Sequence, residues 1–271
     1  MIQKNLFVLI FLIFGVSLAQ KNELGIFIGS SGFYGDVGYN QIGGVFNHQS
    51  PAIGLSHKIN FHDYLSFKSS FQYGTLKAND ALSNDPYTKS RNLSFRSRIM
   101  DVNIGLEFNF KKFKPHKRKT IYSPYIFAGI SFFSFNPQAQ NSLNKWVNLN
   151  ELGTEGQETV ANPKKKYNLN SIAIPFGIGY KANLNEKIAL SIEWIWRTTA
   201  TDYIDDVSGY YVNPNLLIDE AYEMANRSED DSIVGKTRGN PNNNDWYNFT
   251  GITISYKIKN RPFKCPKELL P

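Results

Sequence analysis

The sequence predicts an all-β fold, a transmembrane antiparallel β-barrel of about eight strands with long extracellular loops and short periplasmic turns. Three observations predict it. The 271-residue chain is polar on average, with a mean hydropathy of −0.36, yet 14% of its residues are aromatic. Apolar and polar residues alternate with period two over stretches long enough for a tilted membrane strand, about 9–11 residues. Long and short connections between those stretches alternate along the chain.

The amino terminus reads as an export signal. Lys4 precedes an apolar run from Leu6 to Val16, and Ser17 and Ala19 supply the small residues that predict a cut after Ala19. That run is shorter than the roughly 20 residues a spanning helix needs. The expected organisation is a signal peptide over 1–19, export through the Sec pathway, a barrel over 20–260 in the bacterial outer membrane, and a periplasmic tail over 261–271. Gln20 rather than a cysteine follows the cut, which argues against a lipoprotein anchor there. Cys265 is the single cysteine, so no disulfide can form within the chain.

The first two strands are expected at 23–30 and 51–60. In the third, Leu65, Phe67, Phe71 and Tyr73 oppose Ser66, Lys68, Ser70, Gln72 and Gly74. The fourth, 100–110, is the most regular: Met100, Val102, Ile104, Leu106, Phe108 and Phe110 on one face, Asp101, Asn103, Gly105, Glu107 and Asn109 on the other. The fifth and sixth fall at 123–135 and 170–181, where Pro175 cannot donate to a ladder and predicts a bulge or local break. In the seventh, 187–197, Ile188, Leu190, Ile192, Trp194 and Trp196 share a face, and Ile195 is the one apolar residue on the other. In the eighth, Ile252, Ile254, Tyr256 and Ile258 alternate with Gly251, Thr253, Ser255, Lys257 and Lys259.

Long loops are expected at 31–50, 78–95, 137–168 and 198–245. Short turns are expected at Asn60–Asp63 and Asn183–Glu186, with a basic turn of intermediate length at Lys111–Tyr122. An even strand count puts both termini at the periplasmic end.

A barrel of this size is filled by its own side chains. Lys58, Lys68, Asp101, Glu107, Glu193, Arg197 and Lys257 fall in the inward phase and read as a charge-paired lumen rather than a transport path. The formal charge of +7, or +6 without Lys4, is spread along strands and turns, which argues against nucleic-acid binding. Zinc-helix, paired-cysteine, phosphate-loop and nucleophile-elbow motifs are all missing, so neither an enzyme nor a cofactor is expected. Asp202, Asp205 and Asp206 could ligate a divalent cation, but their spacing matches no calcium loop, and a solvated or hydrogen-bonded acidic loop is preferred. Trp146, Tyr203, Tyr210 and Tyr211 fit either a folded cap or a ligand surface.

The loops carry a resemblance. Leu152-Gly153-Thr154-Glu155-Gly156, Ala173-Ile174-Pro175-Phe176-Gly177-Ile178-Gly179 and Thr201-Asp202-Tyr203-Ile204-Asp205-Asp206-Val207-Ser208, directly after a strand-ending Arg197-Thr198-Thr199, resemble the PorG family of outer-membrane proteins. Arg91 to Ser97, Phe135-Asn136-Pro137, Ala225 to Ser228 and Asp245-Trp246-Tyr247 extend the likeness over most of the mature chain. The resemblance implies a structural part of the type IX secretion system, linking the outer membrane to a periplasmic ring of PorK and PorN type, with the translocon as a further candidate partner. Partner contacts would come from the basic turn with Lys111, Lys112, Lys114, Lys117, Arg118 and Lys119, or from the tail with Lys264 and Lys267. Solvation, or contact with anionic headgroups, is the plainer reading of that turn. A narrow solute channel and a surface-binding barrel remain open alternatives.

Overall fold

Eight long strands carry the alternation in a computed structural model that describes residues 21–38, 48–114, 121–228 and 230–258. They are β1 (Lys21–Tyr34), β2 (Ser50–Asn60), β3 (Leu65–Asn79), β4 (Ser94–Asn109), β5 (Tyr122–Gln140), β7 (Asn170–Asn183), β8 (Ile188–Thr199) and β9 (Trp246–Ile258); a three-residue β6 (Trp146–Asn148) only extends the end of β5. Each long strand pairs antiparallel with its sequence neighbour, and β9 returns to β1, so the sheet has no open edge. The predicted signal segment 1–19, the tail beyond residue 260, and His116, Lys117, Arg118 and Lys119 lie outside the described residues.

The register fixes the barrel's stagger. Starting at Asn22 and stepping across the ladder through Ile59, Phe67, Leu106, Ala128, Phe176, Trp196 and Asn248, the path returns to β1 at Gly32, ten residues beyond its start. A stagger of this size tilts the strands by roughly 35–45° from the axis. Both described ends lie at one rim, where Asn22 faces Ile258, and the short connections turn there as well.

Pro175 breaks the ladder without a bulge. The β5–β7 pairing lapses between Ala128 opposite Phe176 and Ser131 opposite Ala173, yet the register is the same on both sides, so no residue is inserted. On its other side Pro175 stays aligned with Arg197.

The apolar phase forms a belt around the outside. Ile53 and Phe132 are 60% and 68% exposed, and Leu24, Ile104, Ile178, Ile192 and Ile254 are exposed with them. Leaving one such side chain in water forgoes about 1.5–3 kcal/mol, so a continuous band of them faces lipid hydrocarbon. Aromatics border it. Tyr122 stacks on Tyr180 at the turn end, while Trp194, Trp196, Phe176 and Trp246 cluster toward the loop end.

Small inward residues make room for large ones. A Cβ at Gly179 would collide with the ring of Tyr125, and one at Gly105 would meet Phe127 and the β5 backbone. Ile195, the lone apolar residue of its inward phase, is buried with Tyr125 and Phe127 beside the space left at Gly177.

Above the belt the strands continue and the loops fold. Helices form at Pro86–Arg91, Leu149–Leu152 and Asp219–Ala225, absent from the sequence reading, and the last two bring Leu149 and Met224 into a buried core with Phe33, Leu76, Phe95, Phe135 and Ile204. Replacing Gly179 with leucine should displace Tyr125 and cost about 1–3 kcal/mol. The check is the temperature at which the folded band converts to the unfolded one on a semi-native gel; an unchanged temperature would refute the packing argument.

Candidate functional site

Two polar assemblies arise from the inward phase and the loops. The first is the lumen. Near the turn end, Glu107 accepts a hydrogen bond from Lys181, and Lys58 Nζ lies 2.8 Å from its other oxygen as a charge contact. Lys68 reaches Glu193 at 2.5 Å, and the Tyr125 hydroxyl donates to the same carboxylate at 2.9 Å. Nearer the loops, Asp101 receives the Tyr247 hydroxyl at 2.7 Å, Arg197 Nε at 3.2 Å and the Ser131 hydroxyl. Arg197 also donates to Gln72 and lies over the Phe249 ring at 4.6 Å. Between these layers sits an apolar waist with Phe27, Phe127, Ile195 and Phe249.

Lys257 lies directly opposite Glu23 in the β1–β9 ladder, its ammonium donates to the Asn185 carbonyl at 2.7 Å, and among the described residues it makes no close ion pair. Lys181 and Glu23 belong to the network and were missed, although the phase rule contains both. Glu23 accepts from Asn60 at 2.8 Å. Charges removed from water are tolerable only when paired and hydrogen-bonded, and Glu107 serves two lysines at once.

The turn end is stoppered. Phe113 is buried beneath the Lys181 ammonium, 4.3 Å from ring centre to Nζ, and donates its N–H to the Asp63 carbonyl. Of the basic turn, Lys111 lies over Tyr122 and Lys114 is 3.5 Å from Asp63. Lys112 is exposed.

The second assembly is the extracellular cap. Arg238 Nη1 donates to Glu155 at 3.2 Å and to the Asp206 carbonyl, and Nη2 approaches the Asp206 carboxylate at 3.4 Å. Asp206, in a left-handed conformation at φ 69°, also accepts from Thr154 at 2.5 Å and Tyr167 at 2.6 Å. Glu155 caps the N–H groups of Ser208 and Gly209 at 2.9 Å each. The segments 152–156 and 201–208 are therefore two faces of one contact, organised by an arginine that sequence reasoning did not single out. A second arginine, Arg91, binds Asp80 at 2.8 Å and donates to the carbonyls of Asp36 and Arg238 at 2.6 Å, tying in the remaining loops.

The motif residues divide their work. Asp205 accepts from Val37 and Val207, the Ile204 N–H donates to Asp245, Thr201 accepts from the Asp245 N–H, and Tyr203 stacks on Tyr167 at 4.5 Å. Among the described residues no three His, Cys, Asp or Glu side chains are arranged to hold a metal ion. Burial raises the carboxyls of Asp202 to about 8 and Asp206 to about 6, the latter held down by Arg238. Asp36, Asp205 and Asp245 are raised for the same reason. Burial works against the Arg238 charge, but Asp206 and Glu155 outweigh it and raise its value.

Belt, closed sheet, ion-filled lumen and folded cap together define a membrane-spanning β-barrel of the outer-membrane type. The chain belongs to the DUF6089 family, described as a domain of unknown function, whose model matches residues 3–267. No curated protein matches it. Among solved structures it is similar to Neisserial surface protein A (9% identity, covering 88% of this chain and 97% of that one, TM-score 0.43). It is also similar to the attachment invasion locus protein Ail of Yersinia pestis (9%, 88% and 99%, TM-score 0.41). A third likeness is to OprG of Pseudomonas aeruginosa (11%, 88% and 97%, TM-score 0.39). Likenesses this distant carry no argument, and the barrel rests on its own register and belt.

Two outcomes follow from the ion chemistry. Glu107→Gln leaves Lys58 and Lys181 buried without their carboxylate and should cost about 3–5 kcal/mol, read as a lowered urea midpoint for refolding into vesicles. In the cap the protonated aspartates are the favoured form, so stability is full below the ordinary value of 3.8 and is lost as pH rises through about 6 and about 8. Protease resistance of the 200–245 loop should fall across that window, and Asp202→Asn should remove the upper step. A flat wild-type profile would contradict the assignment.

Proposed function

We propose that this barrel is a non-conducting structural component of the outer membrane, reached through Sec export, and that it anchors a type IX secretion machine to a periplasmic ring of PorK and PorN type. The observation that carries the non-conducting part is the lumen: Asp101, Glu107, Arg197, Lys181 and Tyr247 are at most 2% exposed, so neither ionic layer leaves a water path past them. The secretion role rests on the PorG resemblance of the loop segments. A protein-conducting pore would have to be a different and much wider barrel.

Under this proposal the ring is met from the turn end. Lys111, Lys112 and Lys114 present positive charge there, on a turn whose start is pinned by Phe113, and Lys117, Arg118 and Lys119 follow in the sequence as further candidate contacts. An alternative is a surface-binding barrel, favoured by a groove of about 450 Å³ in the cap lined by Tyr87, Arg91, Tyr211 and Lys236.

The test is cross-linked affinity purification of the tagged protein from solubilised outer membranes, with planar-bilayer recording of the pure barrel. The expected result is recovery of ring proteins, their loss when the six basic residues become glutamine while the barrel still folds, and no steady conductance. A barrel recovered alone would overturn the anchor reading in favour of surface binding; stable single-channel steps would overturn the sealed lumen.

A further inference from the structure

On β3 and β4, immediately above the apolar belt, three cations share the outward phase. Lys77 lies directly opposite Arg96 in the ladder, and Arg98, opposite Thr75, is the next outward residue of β4 toward the membrane. Buried Leu76, Ser97 and Ile99 alternate with them, so all three side chains are directed away from the lumen. The next outward residues toward the membrane are Tyr73 and Met100, both exposed, followed on β4 by Val102, which faces Phe132 on β5.

This cluster is electrostatically unbalanced. Like charges directly opposed across a ladder repel. Yet every ion pair among the described residues uses other cations. Arg96 is instead held in place by neutral neighbours: its guanidinium stacks on Trp146 at 3.4 Å, and Nε donates to Gln138 at 3.2 Å. The arrangement is also one-sided. The loop-end outward positions of β8, β9 and β1 are Trp196, Thr198, Trp246, Asn248 and Tyr34, without a cation.

We propose that Lys77, Arg96 and Arg98 form a binding site for a phosphorylated glycolipid of the outer leaflet, its phosphates on the three cations and its acyl chains along Tyr73, Met100, Val102 and Phe132. Depth and charge choose this occupant. The cations stand at headgroup level, beside the hydrocarbon belt rather than on the loop tips, and guanidinium groups match phosphate geometry with paired donors. The inference rests on the belt alone and is independent of the secretion proposal.

The test is native mass spectrometry and vesicle co-sedimentation of the full barrel with diphosphorylated lipid A, the dephosphorylated form, or inorganic phosphate. The comparison is the triple variant Lys77→Gln, Arg96→Gln, Arg98→Gln against a control triple at the exposed residues Lys89, Lys145 and Lys165. The expected result is retention of the diphosphorylated lipid that weakens roughly tenfold or more in the site triple, weakens with salt, and is unchanged in the control. Should the site triple fail to fold, Arg98→Gln alone, at an exposed position, should weaken retention severalfold. Equal retention of the dephosphorylated lipid, equal retention by the site variants, or inorganic phosphate binding as strongly as the lipid would each overturn the proposal. So would an acidic polysaccharide that binds these residues in its place.

Discussion

A strand that crosses hydrocarbon has no water with which to satisfy its N–H and C=O groups, so every one must be met by another strand. The β4–β5 and β9–β1 ladders meet that demand by closing the sheet, and the ten-residue stagger is the form the closure takes. Once strand number and stagger are set, so is the lumen width, and with it the volume that inward side chains must fill. Inward glycines opposite Tyr125 and Phe127 follow from that limit: the rings fit only where the facing strand carries no Cβ.

Filling the lumen with ions rather than methyl groups has a reason outside the folded state. A strand apolar on both faces would make ten-residue apolar runs, and neighbouring runs approach the hydropathy that marks a spanning helix. Lys58, Lys68, Glu107, Glu193 and Arg197 keep alternate positions polar, which is why the mean hydropathy stays at −0.36 despite a lipid-facing belt. The consequence is a set of obligate pairs. Lys181, Lys58 and Glu107 come from three different strands, so their pairing also distinguishes the correct register from one slipped by a residue, which would turn every charge to the lipid.

Period two made the strands legible because it is a local property, visible in Met100 to Phe110 without knowing any partner. Strand ends were less legible: β1 runs to Tyr34 and β5 to Gln140, well past the predicted stops, since above the membrane both faces can be covered and the alternation loses its contrast. Phe113 was hidden by the lysines around it, and its burial depends on Lys181 from a strand far along the chain. The short helices of the loops had no periodic stretch to announce them. Arg238 was passed over because its partners Glu155 and Asp206 lie 83 and 32 residues away. Two features could have prompted it: it is one of two arginines within the long polar loop, and both segments of the resemblance carry acidic residues.

That last contact bears on what the resemblance means. The segments Leu152–Gly156 and Thr201–Ser208, which carry the resemblance, lie together at the loop end, clasped by Arg238. Their residue types are accounted for by the cap itself: Asp206 by Thr154, Tyr167 and Arg238, Glu155 by the Ser208 and Gly209 amides, Asp205 by Val37 and Val207. The motif is therefore first a specification for a rigid lid over the barrel. The lid is held by two buried arginines whose ion pairs are all made within the cap, to Asp80, Glu155 and Asp206, and so are independent of the turn end. Substitutions at Arg238 should then act on the lid and leave the turn end as it is.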